Sequence, residues 1–363
     1  MTMRRSAPSL FSRNYAEARQ AFLAAAEARG LPIDSYILDL PGSEGETLAT
    51  DVVLDGLKDA ANLIITISGV HGVEGYPGSA IQRGLLEMGP LVEADTAVLH
   101  VHAINPWGFS WSHRTTQENV DLNRNFVDFS APLPVNDRYS DIHNLLLPAD
   151  WPPSMESEDK LRALAKAWGD KGYQCAVSLG QYRFPDGLHY GGEKPTWSND
   201  TFRTILRRYA TRCQRIGSLD IHTGLGPYGY GERILGCEDE SASLQRARDW
   251  WGDTITSVNT GSSTSVPLTG PIQAALFREC EQAEQTNICL EYGTYPQLQT
   301  VLAMRGAHWL TRYGSDDPRQ CAAIRQSLKD AFNPQDPWWQ NEIWTQGRAL
   351  FLQAVAGINR HSS

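Results

Sequence analysis

The run Leu63-Ile64-Ile65-Thr66-Ile67-Ser68-Gly69 constrains the fold most. It is apolar and β-branched, and Gly69 stops it, so it reads as a strand buried inside a sheet. The residues that follow, Val70-His71-Gly72-Val73-Glu74, put an imidazole and a carboxylate three residues apart at that strand's C-terminal edge. Open α/β sheets bind ligands in crevices at this edge. One histidine and one carboxylate are half of a zinc site, which makes the other strand ends the places to find a completing ligand.

Helix and strand patterns alternate along the chain. Residues 12–30 read as a helix, with Tyr15, Ala18, Phe22 and Ala25 on one face and Gly30 as its stop. Residues 35–40 and 47–54 read as strands around a Gly-rich turn. Pro77 opens a helix through Ile81, Leu85 and Leu86. Residues 97–103 form another strand and run into a loop marked by Pro106 and Gly108. Residues 131–157 are rich in Pro, Asp and Asn and read as irregular, with a polar helix over about 158–169 after them. Residues 180–199, dense in Gly, Pro and aromatics, read as a long loop, which inside a compact domain is functional or misassigned. A helix over 201–213 precedes a strand over 216–222, and a further strand covers 286–293. Asp336 and Pro337 open a helix over about 337–359 whose Trp339, Ile343 and Leu350 share a face that packs on the core. No repeat or linker divides the chain. Residues 1–363 are therefore expected to form one catalytic domain with an inserted excursion at about 131–199.

Of the 363 residues, 41% are apolar, enough for a sizeable core. The net charge of -10 and the lack of a basic run argue against a nucleic-acid partner. The cysteines Cys175, Cys213, Cys237, Cys280, Cys289 and Cys321 form no CxxC pair and are expected to be buried, reduced thiols. Arg4 and Arg5 are not followed by an apolar segment, and no stretch is long enough to span a bilayer. A cytoplasmic protein with no membrane partner is the expectation.

Four strand ends or following loops present polar residues: His71 with Glu74, the stretch from Arg114 to Arg124, His222, and Glu291. Catalytic zinc takes three N or O ligands and keeps a fourth position for water, and His71, Glu74 and His222 supply such a set. A carboxylate off the metal is then needed as general base and general acid, and Glu291 is the candidate. Nearby arginines would hold a substrate carboxylate or an oxyanion. Taken singly, each residue has a plain structural reading. A lone HxxE is common, a strand-end histidine is more often a hydrogen-bonded core residue, and Asp121 reads as a turn or cap. Asp121-Leu122-Asn123-Arg124-Asn125-Phe126 is harder to dismiss, because two asparagines and an arginine offer many donors and little to pack. The ordered set is far more specific than any one member.

As a set these residues resemble the zinc carboxypeptidase superfamily of M14-type metallopeptidases and their acylase relatives. The matching pieces are His71-Gly72-Val73-Glu74, Asn105-Pro106-Trp107-Gly108, Arg114, the run from Asp121 to Phe126, His222 and Glu291. The runs Asp220–Pro227, Leu290–Pro296 and Gly180–Gly192 resemble its DUF2817 branch. The resemblance implies a mixed, twisted sheet flanked by helices on both faces. It implies one zinc ion per chain on His71, Glu74 and His222, with Asp121 orienting the first histidine. It implies that Arg114 polarises the scissile carbonyl, that Glu291 is the base, and that Asn123 and Arg124 grip a substrate carboxylate.

The substrate-capping tyrosine of that family has no unique match here; Tyr228, Tyr230, Tyr292 and Tyr295 are all candidates. The spacing from Glu74 to His222 is longer than in the simplest members and contains the 131–199 excursion. That segment either forms a wall or lid contributing Tyr182, Arg183, His189 and Tyr190 to substrate binding, or packs away from the metal. The leading expectation is a carboxypeptidase-like hydrolase acting on a small peptide or peptide-like substrate with a free carboxylate. An N-acyl amino acid deacylase with the same zinc site is the alternative, and a non-catalytic binding protein a third reading.

Overall fold

The computed structural model describes residues 7–92, 95–236 and 240–360; Arg4, Arg5 and Cys237 lie outside them. The strands are β1 (Ile33–Pro41), β2 (Thr47–Asp55), β3 (Asn62–Ile67), β4 (Thr96–His102), β5 (Arg215–Tyr228), β6 (Gly231–Leu235), β7 (Ile255–Thr256) and β8 (Glu284–Gly293). The helices are α1 (Tyr15–Glu27), α2 (Gly75–Met88), α3 (Pro106–Ser110), α4 (Asp137–Leu146), α5 (Met155–Ser178), α6 (Trp197–Tyr209), α7 (Glu240–Trp251), α8 (Gln273–Glu279), α9 (Gln297–Tyr313), α10 (Pro318–Phe332) and α11 (Pro337–Asn359).

The strands form one mixed sheet in the order β1-β2-β4-β3-β5-β8-β6-β7. Its centre is parallel: β4, β3, β5 and β8 pair parallel, while β1, β2 and β6 join antiparallel. All of β3 is buried, and its side chains alternate between two helical layers. Leu63, Ile65 and Ile67 pack with Phe202 and Ile205 of α6 and Leu276 of α8. Ile64 packs on the other face with Ile81 of α2, Trp250 of α7, and Trp339, Ile343 and Leu350 of α11. This two-sided cover is why β3 shows no polar alternation. Each of its fully buried isoleucines contributes roughly 1.5–3 kcal/mol of hydrophobic stabilisation.

The parallel centre fixes where the polar residues go. β5 lies between β3 and β8, so the carboxyl ends of all three sit side by side. His222 and Glu291 are direct register partners.

The excursion is more regular than its composition suggests. Helix α4 lies inside the stretch read as irregular, started by the Asn136 side chain accepting from the Tyr139 N–H. Its Tyr139, Ile142 and Leu146 are buried at helical spacing. Helix α5 begins earlier than expected, capped by Ser154, and continues past Gly169, where φ is 70° and the helix kinks instead of stopping. The Asn-Pro-Trp-Gly loop contains the short helix α3, because Asn105 caps it and Pro106 suits its first turn. The described cysteines are free, with Cys213 and Cys280 buried and Cys175, Cys289 and Cys321 partly so. Among the described residues no helix is long and apolar enough to cross a membrane.

Candidate metal and catalytic site

The turn after β3 is seated on a neighbouring loop. The N–H groups of Gly72 and Val73 donate to the carbonyls of Arg114 and His113, at 3.2 and 2.8 Å. A Cβ on Gly72 would lie 1.9 Å from the carbonyl carbon of Gly108, so only glycine permits this approach. His71 and Glu74 are buried as a result.

His71, Glu74 and His222 converge. His71 Nδ1 lies 3.0 Å from Glu74 Oε1, His222 Nδ1 lies 3.1 Å from Glu74 Oε2, and the two Nδ1 atoms are 3.2 Å apart. Each ring is aimed from behind. His71 Nε2 is 3.0 Å from Asp121 Oδ1, and His222 Nε2 is 2.9 Å from Asp220 Oδ2. An ionised carboxylate only accepts, so His222 gives its Nε2 proton to Asp220, while His71 Nε2 meets both Asp121 Oδ1 and, at 2.9 Å, Arg114 Nη2. Two ring nitrogens and a carboxylate facing one point call for positive charge there. Asp220 and Glu74 accordingly hold the His222 imidazole well above its usual range, against the pull of burial. The three donor atoms lie within 4.8 Å of one another. This N, N, O set, with a carboxylate behind each ring, fits a divalent transition metal.

Glu291 stands beside this set, its Oε1 accepting from the Leu225 N–H at 3.1 Å. Burial and the neighbouring Glu74 raise its carboxyl to about 8. For Glu74 burial works against the charge, but His71, His222 and Arg114 outweigh it and hold the carboxyl below its usual range. Cys289, two residues before Glu291, also comes near Asp220 and His222. Burial and the surrounding carboxylates push its thiol well up, so it stays a neutral thiol and a poor ligand.

Arg114 spans the two sides of the centre, with Nη1 on Glu74 Oε1 at 2.8 Å and Nε on Asp121 Oδ2 at 3.2 Å. Asp121 also accepts from the Asn123 N–H and meets His189 Nδ1, each at 3.0 Å. Its burial opposes ionisation, yet Arg114, Arg124 and His71 hold its carboxyl well below the usual range. Leu122 and Phe126 are anchored in the core, which turns Asn123 and Arg124 toward the cavity. Arg124 gives Nε and Nη2 to the Ser178 carbonyl, at 3.1 and 2.7 Å, and Nη1 to the Asn123 carbonyl at 2.9 Å. These groups line a cavity of about 620 Å³ together with His71, Glu74, His222 and Glu291.

The model of the family described as "Protein of unknown function (DUF2817)" matches residues 11–346. The chain belongs to the DUF2817 family. Among curated proteins nothing matches it. Solved structures similar to it include carboxypeptidase A from Helicoverpa armigera, at 11% identity and a TM-score of 0.43, covering 93% of this chain and 73% of that one. Bovine thrombin-activatable fibrinolysis inhibitor, in complex with tick carboxypeptidase inhibitor, is 11% identical with a TM-score of 0.42, covering 88% and 96%. Succinylglutamate desuccinylase from Chromobacterium violaceum is 13% identical with a TM-score of 0.38, covering 90% and 76%. Function in this DUF2817 protein is therefore read from its own residues.

The 131–199 excursion reaches the site in part. Ala131, Pro132, Pro134, Gln174, Ser178 and His189 line the cavity. His189 is buried at φ 52°, its Nε2 without a hydrogen-bond partner, and burial lowers its ring to about 4. Tyr182 does not line the cavity; its hydroxyl donates to the Arg124 carbonyl at 2.6 Å and so supports that turn. Arg183 is exposed, outside the cavity, with Nη1 3.4 Å from Ser140 Oγ. None of the four candidate tyrosines lines the cavity, and Tyr292 is buried against the Ile343 carbonyl. Asp220 escaped the sequence reading. Its signal was there: two residues before His222 on one strand, it shares that residue's face, and an acid inside an otherwise apolar strand is unusual.

Proposed function

We propose that this protein is a zinc-dependent hydrolase cleaving an amide bond next to a carboxylate-bearing residue of a small peptide or peptide-like molecule. The observation that carries this reading is the convergence of His71 Nδ1, His222 Nδ1 and Glu74, with a buried aspartate behind each ring. His71, Glu74 and His222 would hold one zinc ion, which supplies Lewis acidity and draws the pKa of water toward ~7. Glu291 stays off that donor set. It takes a proton from the attacking water and returns it to the leaving nitrogen. Burial raises its proton affinity, which suits the first half of that exchange. Arg114, held by Glu74 and Asp121 at the cavity wall, polarises the scissile carbonyl. Asn123 and Arg124 take the substrate's carboxylate. Arg124 spends three N–H groups on backbone carbonyls and keeps two for a bidentate ligand. Asp121 and Asp220 orient the two rings, and His189 borders the carboxylate grip.

A second reading, removal of an acyl group from an N-acyl amino acid, uses the same residues. The chamber of about 620 Å³ favours it, being sized for a small molecule. Hydrolysis of N-blocked dipeptides and N-acyl amino acids, each with a free or amidated C-terminus, tests both. Turnover is expected only with free carboxylates, on one class or the other. Glu291→Gln should retain zinc and lose about 10²–10⁴ in turnover. Zinc-loaded protein indifferent to the carboxylate would sink the grip, and full activity in Glu291→Gln would sink the base.

A further inference from the structure

The arginines of the cavity wall, Arg114 and Arg124, come from one stretch of chain; Leu225 and Gln297 line the same cavity from two others. The Leu225 N–H donates to Glu291 Oε1, which ties the first of these to the reacting centre. Followed outward, both run into aromatic residues. Tyr228 lies three residues beyond Leu225, no more than ~10 Å along an extended chain. Tyr295 lies two residues before Gln297.

These rings meet at the surface. Tyr228 and Tyr295 have their centroids 5.9 Å apart, and Tyr228 stacks on Trp338 of α11 at 6.0 Å with 9° between the planes. The Tyr228 hydroxyl donates to Asp336 Oδ2 at 3.0 Å, and the Trp338 N–H donates to Asp336 Oδ1 at 2.9 Å. One carboxylate therefore fixes both members of the stack. The turn between β5 and β6 is pressed against it, since a Cβ on Gly229 would lie 2.7 Å from the Trp338 ring. Trp338 is nevertheless 54% exposed and Tyr230 40%. A tryptophan positioned this closely and still left open adds little to the core.

The charge around the stack has one sign. Segments 224–231, 291–300 and 336–342 contain no lysine or arginine, and their charged residues are Glu291, Asp336 and Glu342. Glu342 lies four residues after Trp338 on the same helix face, its Oε2 accepting from Gln346 at 3.2 Å. Aromatic faces carry the negative end of a quadrupole and attract cations, and carboxylates beside them strengthen that pull. An anion is repelled here, and a neutral apolar group gains nothing from the carboxylates.

We propose that Tyr228, Tyr295 and Trp338, with Asp336 and Glu342, form a cation platform at the cavity rim that takes an ammonium group on the acyl side of the substrate. A molecule with its carboxylate at Asn123 and Arg124 and its amide at Glu291 reaches the platform with what lies beyond the amide. The preferred substrate is then bipolar, negative at the grip and positive at the rim. Its orientation rests on the proposed amide hydrolysis; the affinity of the platform for a cation does not.

Matched pairs test the substrate preference on the zinc-loaded full-length protein. They are ε-aminocaproyl-alanine against heptanoyl-alanine, and acetyl-lysyl-alanine against acetyl-norleucyl-alanine. In whichever pair is cleaved, kcat/KM should be about three- to tenfold higher for the cationic member, and added salt should shrink the ratio. Trp338→Leu keeps an apolar side chain and removes the π face, so the ratio should fall to about 1. Trp338 is half-exposed, and urea unfolding verifies that the variant keeps its fold. Separately from turnover, saturation-transfer NMR follows tetramethylammonium, with tert-butanol as its neutral twin. Transfer to tetramethylammonium is expected in the wild type and should be lost in Trp338→Leu. If the amides turn over, equal kcat/KM within each pair, or a preference that survives Trp338→Leu, overturns the platform and leaves the hydrolase standing. If none turns over, the hydrolase reading loses its support and the NMR result decides the platform. Transfer to tert-butanol as strong as to tetramethylammonium, or transfer indifferent to Trp338→Leu, then overturns it.

Discussion

The two histidines at the centre are aimed in different ways. His222 is oriented from its own strand: Asp220, two residues earlier, holds its Nε2, and Gln273 holds Asp220. His71 sits on a turn, and its Asp121 comes from a separate loop. Asp121 also meets Arg114, His189 and the Asn123 N–H, with Arg124 Nη1 at 3.8 Å. One ring is thus positioned by sheet geometry and the other by the packing of several loops around one buried carboxylate. The difference predicts that damage stays local on the strand side and spreads on the loop side.

Asp121→Asn is the strongest test. It removes the charge that compensates buried Arg114 and Arg124, and it turns one of the two oxygens shared by His71, Arg114, His189 and the Asn123 N–H into a donor. Breaking a buried ion pair in this way costs about 3–5 kcal/mol of stability. Metal affinity should fall at least ~10–100-fold besides. Asp220→Asn should lose a similar ~10–100-fold in metal affinity but only about 1–3 kcal/mol of stability. Metal titrations and urea unfolding measure the two losses separately. Equal destabilisation by both variants would show that Asp121 is no hub.

The strand side was also the legible side. β3, β5 and β8 announce themselves as apolar runs that stop abruptly at His71, His222 and Glu291, and parallel pairing places those stops together. Asp220 could have been found by the two-residue spacing alone. The loop side has no such period. Within 180–199 the residues Tyr182, Arg183 and His189 look alike as polar groups of a Gly-rich loop, yet one supports the Arg124 turn, one is exposed and one meets Asp121. Contacts between distant loops sort them, and a linear pattern cannot. The early start of α5 and the whole of α4 were hidden for a related reason. Asn136 and Ser154 are their helix caps, but in a Pro-rich stretch they read as loop.

The turn that carries His71 can be broken without touching a charge. Gly72→Ala drives a methyl into the Gly108 backbone, which cannot retreat as a side-chain tip would. A cost of about 1–3 kcal/mol is expected, with weakened metal binding, because the turn and its ligand move together. Urea unfolding with and without added zinc reads both effects. Wild-type stability in this variant would mean that the two loops are not in contact.

A buried histidine held by a hydroxyl instead of a carboxylate responds to pH in its own way. His100 of β4 is buried, with Nδ1 2.8 Å from Thr66 Oγ1, and burial depresses its ring to about 3. The unfolded chain binds this proton near pH 6.5 and the folded chain does not, so folding loses stability as pH falls from about 6.5 toward 3 and is unaffected above that window. Between pH 7 and 5 the loss from this one ring is ~2 kcal/mol. Urea unfolding of wild type and His100→Asn over that interval tests it. An unchanged slope in the variant would remove His100 from the account.

The smallest contrast lies within the excursion. His189 gives its Nδ1–H to Asp121, but Asp121 keeps His71, Arg114 and the Asn123 N–H when that bond goes. His189→Ala should therefore lower kcat/KM only ~tenfold, with a modest loss of metal affinity. Arg183 is exposed and outside the cavity, so Arg183→Ala should stay within ~0.5 kcal/mol in stability and leave kcat/KM nearly unchanged. Steady-state kinetics on the preferred substrate separate the two. If Arg183→Ala costs as much as His189→Ala, the exposed face of the excursion takes part in substrate capture. The division between a cavity wall that steadies Asp121 and an outer surface that does not would then have to be redrawn.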